Sequence, residues 1–109
     1  MNRKIQYYKN YFIDFYNSLD IPAQRKIAYV LQYIKTEQRW NEKFVKFIRD
    51  GLFELRANHN GNIYRVFFML DNGNIVILFN GFQKKSQKTP KQEIEKAINL
   101  KNQYYADKQ

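Results

Sequence analysis

Apolar and polar positions change period several times along the chain, and each change marks a predicted element. "RKIQYY" at residues 3–8 alternates, Ile5 and Tyr7 against Lys4 and Gln6, which predicts a short first strand. From Tyr11 to Leu19 the apolar positions Tyr11, Phe12, Phe15, Tyr16 and Leu19 fall at helical spacing. "LDIP" interrupts that pattern, and Pro22 suits the first turn of a second helix, where its missing N–H is harmless. Ile27, Val30, Leu31 and Ile34 form the second helix's buried stripe, so the two helices make a hairpin. "NEKFVKFIRDG" reads as a helical turn or loop with Phe44, Phe47 and Ile48 inward, ended by a turn at Gly51.

Three strand-like runs follow, "LFELRA", "NIYRVFFML" and "NIVILFN", separated by "NHNGN" and "DNGN". Asn-Gly is a strong short hairpin signal, so the three runs predict an antiparallel meander. "KTPKQEIEKAINLKNQYY" is a final helix with Thr89 as N-cap, Pro90 at N1 and Gln92 at N3. Its Ile94, Ala97, Ile98 and Lys101 share one face, extended by Tyr104 or Tyr105. The order of elements predicts a single α+β domain over residues 1–109, with helices packed on one face of the sheet.

Strand alternation then sorts the candidate chemistry. Leu52, Glu54 and Arg56 point one way, and Phe53 and Leu55 the other; Arg65, Phe67 and Met69 oppose Tyr64, Val66, Phe68 and Leu70. If Phe53, Leu55, Val66 and Phe68 meet the helices, Arg56 and Arg65 share the other face on neighbouring strands. Beside them lies the turn "GFQKKSQKTPK", which crowds Lys84, Lys85, Lys88 and Lys91 together. Two guanidiniums hold phosphate bidentately and lysines add mobile point charges, so this is a candidate phosphate cradle. The plainer alternative pairs the arginines with Glu54 or Asp71 and leaves the lysines as a solvated surface. Phe79 and Phe82 flank the turn and could stack a base, with Phe79 better placed for the core. His59 sits in a turn and reads more readily as a surface residue than as a general base, and Trp40 packs near the end of the second helix.

Composition narrows the chemistry further. Of 109 residues, 44% are hydrophobic and 17% aromatic, enough for a packed core. There is no Cys and one His, which removes disulfides, thiolate catalysis and cysteine-ligated zinc and argues against a histidine-built metal site. Neither an export leader nor a membrane span is evident, so a cytoplasmic protein is expected. The net charge of +9 is clustered, which points to a polyanion partner. A Gly-rich phosphate loop and a nucleophile elbow are both missing. RNA, however, carries its own nucleophile in the 2′-OH. Cleaving it needs positioning, a proton acceptor and cations for the charge that grows on phosphorane and leaving oxygen, and a metal-free site of Arg and Lys can supply the cations.

In this order, "GLFELR", "YRVFF", a strand ending in "NGFQKKSQKTP" and "EIEKA" resemble the RelE/ParE toxin superfamily. More narrowly they resemble the phage-derived HigB-like toxins of type II toxin–antitoxin systems, over roughly residues 44 to 105. The resemblance implies a RelE-like fold and a ribosome-dependent mRNA endoribonuclease needing no cofactor. It acts in the 30S A site beside 16S rRNA, and leaves a 2′,3′-cyclic phosphate and a 5′-OH. By the same resemblance Arg65 contacts the scissile phosphate and Arg56 a backbone phosphate. Lys84 and Lys85 stabilise leaving-group or transition-state charge, and Lys88 extends the cradle. Lys91, Phe82 and His59 are further RNA-binding candidates, taken from the sequence itself. The implied protein partner is a helix-turn-helix, HigA-like antitoxin.

The chain also departs from its relatives. RelE has lysines on the strand where Glu54 stands, and a tyrosine after the basic turn where this chain has Tyr104 and Tyr105 far down the last helix. Other HigB proteins use a histidine, for which His59 is a loose match, so the general base stays unassigned. Two rival readings remain: a ParE-type inhibitor of DNA gyrase, and a nucleic-acid-binding module without activity.

Overall fold

Asp50–Gly51, Asn60–Gly61 and Asn72–Gly73 all have positive φ at both residues, the backbone required by the tight hairpin turns whose twist matches paired strands. In the computed structural model, which describes residues 2–85 and 88–108, these turns join β2 (Val45–Arg49), β3 (Leu52–His59), β4 (Asn62–Asp71) and β5 (Ile75–Lys84) into an antiparallel meander. β1 (Lys4–Tyr7) adds to the far edge, parallel to β5, so the five-stranded order is β1-β5-β4-β3-β2. Helices α1 (Tyr11–Asn17) and α2 (Ile21–Thr36) intervene between β1 and β2, and α3 (Lys91–Lys108) closes the chain. No helix among the described residues is long and apolar enough to cross a membrane.

The helical hairpin covers one face of the sheet. Ile27, Val30 and Ile34 of α2 and Phe12 of α1 are buried with Leu55, Val66, Phe68, Val76 and Leu78 from the strands. Leu31 is only partly buried at the margin of this cluster. Asp20 caps α2 by accepting the Ala23 N–H at 3.0 Å, and Pro22 lies in the first turn as its fixed φ favours. Trp40 packs edge-on against Phe53 and Phe68, with the Arg3 guanidinium 4.6 Å above its ring. Gly81 sits where α1 approaches most closely: a Cβ there would lie 2.4 Å from the Phe15 ring.

Three expectations need correction. Residues 45–49 form β2 rather than a helical turn or loop; Phe44, Phe47 and Ile48 imitate a helical stripe, but Phe47 is 57% exposed. The helices do not share a face, because α3 packs on the opposite side of the sheet from α1 and α2. There Ala97 and Leu100 meet Leu52, Phe67, Met69, Ile77 and Phe79. Finally, α3 begins at Lys91, the Pro90 carbonyl accepts from the Glu93 N–H, and the Thr89 hydroxyl is used elsewhere.

Candidate functional site

On the α3 side of the sheet the apolar floor runs out before the strands do. Moving along β4 from Phe67 to Arg65, and along β3 from Leu52 to Glu54 to Arg56, the same alternation that buries the core delivers charged side chains. Arg56 and Arg65 are direct cross-strand partners, which places two guanidiniums side by side on one face. Like charges so placed repel, and Glu54 is the anion that allows it. Its carboxylate is 1% exposed, with Oε1 3.3 Å from Arg56 Nε and 3.6 Å from Arg65 Nε.

The second carboxylate oxygen has its own partner. Thr89 Oγ1 donates to Glu54 Oε2 at 3.0 Å, which ties the chain just before α3 to the centre of the charged cluster. Glu54 is therefore engaged on both oxygens and acts as an internal counter-ion. Arg56 also donates to the Glu42 carbonyl at 3.1 Å, and Arg65 to its neighbour Tyr64's carbonyl at 3.0 Å and to Asn58 Oδ1 at 3.4 Å. Arg65 Nε has no hydrogen-bond partner among the described residues. The arginines differ in access: the Arg56 side chain is 25% exposed and that of Arg65 8%, so Arg65 is the floor and Arg56 part of the rim. Burial pulls the Arg65 guanidinium below its ordinary pKa, Glu54 opposes this, and Arg56 adds to it.

Lys84 reaches the same cluster through an irregularity in the sheet. Between β4 and β5 the register shifts, with Val66 opposite Gly81 but Phe68 opposite Leu78, so β5 carries one extra residue in this interval. The bulge places Phe82 across from Arg65 and sends Lys84 to the same face. Burial lowers the Lys84 pKa, followed by repulsion from Arg65; Glu54 counteracts this, and Arg56 and Lys46 add smaller repulsions. The result is a lysine that exchanges its proton more readily than an exposed one.

The other sequence candidates fall at different distances from this centre. Lys85, Lys88 and Lys91 are exposed in and after the segment joining β5 to α3. Phe82 is half-buried against Phe67, ring centroids 5.7 Å apart, and Phe79 is fully in the core. His59 lies on the α2 side, lining a groove with Tyr29 and Phe44, and so stands across the sheet from Arg65. Asp71 does not join the arginines: it accepts from Tyr104 and Lys108 at the far end of α3. Sequence reasoning had offered Glu54 as a partner of the arginines, and both ion pairs are present, but it missed Thr89 and Asn58. Asn58 shares the alternation of Arg56, which could have identified it, whereas no local signal distinguishes Thr89 from a helix cap.

Comparison with known proteins adds two findings. The model of a family described as phage-derived, Gp49-like proteins matches residues 14–102, most of the chain and every element of the site. A chain in the crystal structure of the archaeal RelE–RelB complex from Pyrococcus horikoshii superposes with a TM-score of 0.55 at 17% identity. The superposition covers 82% of this chain and 100% of that one, a likeness of fold. No match was found among curated proteins.

Proposed function

The chain belongs to the phage-derived Gp49-like family, within the RelE-like toxin superfamily, and from this premise we propose that it is a HigB-like toxin that cleaves mRNA on the ribosome in the cytoplasm. The observation that carries the reading is the convergence of Arg56, Arg65 and Lys84 around one buried carboxylate, with Arg56 reaching solvent at the rim.

The chemistry follows from what each group can do. A phosphodiester laid over the cluster meets Arg56 and Lys84 at the rim and Arg65 beneath them. The 2′-oxygen attacks the adjacent phosphorus, the bond to the 5′-oxygen breaks, and the products are a 2′,3′-cyclic phosphate and a 5′-OH. Negative charge grows on the non-bridging and leaving oxygens, where fixed guanidiniums stabilise it without reorganising. Lys84, with its lowered pKa, is the group in the cluster suited to proton transfer, as donor to the leaving 5′-oxygen. Glu54, engaged by Arg56 and Thr89, positions the cations and leaves the 2′-OH proton to water or to a group contributed by the ribosome. Lys85, Lys88, Lys91 and Phe82 extend the path of the strand. A helix-turn-helix antitoxin is the proposed protein partner, acidic enough to neutralise this face.

The test is primer extension on a defined message incubated with purified protein, with and without translating ribosomes, beside Arg65→Ala. Defined cuts that require ribosomes and fall by about 10²–10³-fold in the variant are expected, the usual loss when one charge-stabilising donor is removed. Intact message in both conditions, from folded protein, would overturn the reading. One observation favours a second reading: Arg65 is only 8% exposed and near Glu54, as in a binding module whose arginines are structural. Salt-dependent binding without cutting would identify it.

A further inference from the structure

We propose that a groove on the opposite face of the sheet, between α2 and the end of β3, is a second RNA-binding site that takes a short single-stranded segment. It is about 570 Å³ in volume and is lined by Pro22, Arg25, Lys26, Tyr29, Phe44 and their neighbours Lys43 and His59. Arg25, Lys26 and Lys43 supply three cations. No carboxylate lines the groove among the described residues, and none of the three cations is in an ion pair there. Its floor is aromatic: Tyr29, 60% exposed, meets Phe44 edge-on with centroids 6.3 Å apart, and Tyr33 continues the row at 4.7 Å from Phe44.

Cations outside any ion pair around an exposed ring, Tyr29, backed by the partly buried Phe44, are the two parts of a single-strand site, in which the backbone is tracked by charge and bases or sugars lie on apolar faces. Lys26 sits 5.4 Å from the Tyr29 ring centre and Lys43 5.6 Å from that of Phe44, so both ammoniums stand over the floor where phosphates would pass. An acidic amphipathic helix would need a run of apolar anchors at successive turns. Pro22, Tyr29 and Phe44 offer too short a row for that, while the three cations around it suit a polyanion backbone. The choice of RNA among polyanions rests on the reading of the protein as an RNA-acting toxin. The groove's anion chemistry does not depend on it, and this site lies across the sheet from Arg65.

The experiment is fluorescence anisotropy of full-length protein with a labelled 2′-O-methyl oligouridine of about twelve nucleotides, within the usual range of single-strand sites. The probe has no free 2′-OH, so binding is read whether or not the protein cleaves RNA. Lys26→Glu/Lys43→Glu, checked for unchanged melting, is expected to lose at least tenfold in affinity. Its slope of log affinity against log salt should flatten by roughly 1.4, two contacts at about 0.7 each. Tyr29→Ala should weaken binding roughly fivefold or more while keeping the wild-type salt slope. Both losses should persist in an Arg65→Gln background, which separates the groove from the arginine face. Wild-type affinity and slope in the double variant would overturn the proposal, as would failure of the wild type to bind the probe. Tighter binding of an oligoglutamate peptide than of the oligonucleotide, lost in the same variants, would also overturn it by assigning the groove to an acidic protein.

Discussion

The two faces of the sheet are built from the same strands by the same alternation, yet they end differently. On the hairpin face, apolar side chains from Phe53 to Ala57 and from Tyr64 to Leu70 are sealed beneath α1 and α2. On the α3 face, Leu52, Phe67, Met69 and Ile77 are sealed in the same way, but two to four residues further along, the positions become Glu54, Arg56 and Arg65. Helix coverage accounts for the difference. Only Ala97 and Leu100 of α3 are fully buried, and the helix begins beside Asn80, whose amide donates to the Glu93 carbonyl at 3.1 Å. Beyond that point the strands have no helix above them, and charge can occupy the inner face provided that it is balanced. A carboxylate held between two guanidiniums stabilises such an arrangement only as a complete set, because each member is costly alone.

The largest expected effect tests the sealed face. Phe68→Ala, at a residue that stacks on Phe53 and touches Trp40, should cost about 4 kcal/mol in urea unfolding, from lost burial and the cavity left behind. Next comes the charged face, where Glu54→Ala removes the anion between the arginines and leaves Arg65 buried without compensation. A loss of about 3 kcal/mol is expected, and a variant as stable as wild type would show that the arginines do not need it.

Thr89 gives a smaller and more selective test. Thr89→Val keeps the shape and removes the donor to Glu54, with about 1 kcal/mol of destabilisation expected and Thr89→Ser restoring it. If the tether also positions the basic segment, the valine variant should lower the cleavage rate more than the affinity for message, and serine should rescue both.

The smallest effect is read by pH. Because the folded-state pKa of Lys84 lies below the ordinary 10.5, the unfolded chain binds the extra proton between the two values. Stability linked to Lys84 is then greatest above 10.5 and declines as pH falls through the folded value. Cleavage that uses its proton should run the other way, weakening as pH rises through that value, and Lys84→Arg should move this alkaline limb upward.

How much was legible depended on how local the signal was. The Asn-Gly turns at 60–61 and 72–73 marked two hairpins because a side chain's tolerance of positive φ is a local property. Asp50–Gly51 is the same signal for the β2–β3 hairpin, obscured by the spacing of Phe44, Phe47 and Ile48. The pairing of Lys46 with Glu54 went unread for that reason. Arg56 and Arg65 were placed on one face by counting, and their pairing follows from the two-residue loop between β3 and β4.

Sequence alone therefore determined the elements other than β2, the two-sided pattern of the last three strands and the arginine pair, since these rest on backbone preferences and side-chain period. The tertiary structure decided which face α3 covers and where it stops, because burial against a distant helix has no local signature. It also decided the membership of the site. Strict alternation from Ile77 and Phe79 would carry Lys85 to the arginine face, whereas the extra residue on β5 reverses the parity and delivers Phe82 and Lys84 instead. Thr89, 35 residues from Glu54 along the chain, meets it only because the fold brings the residues just ahead of α3 to the charged face of β3.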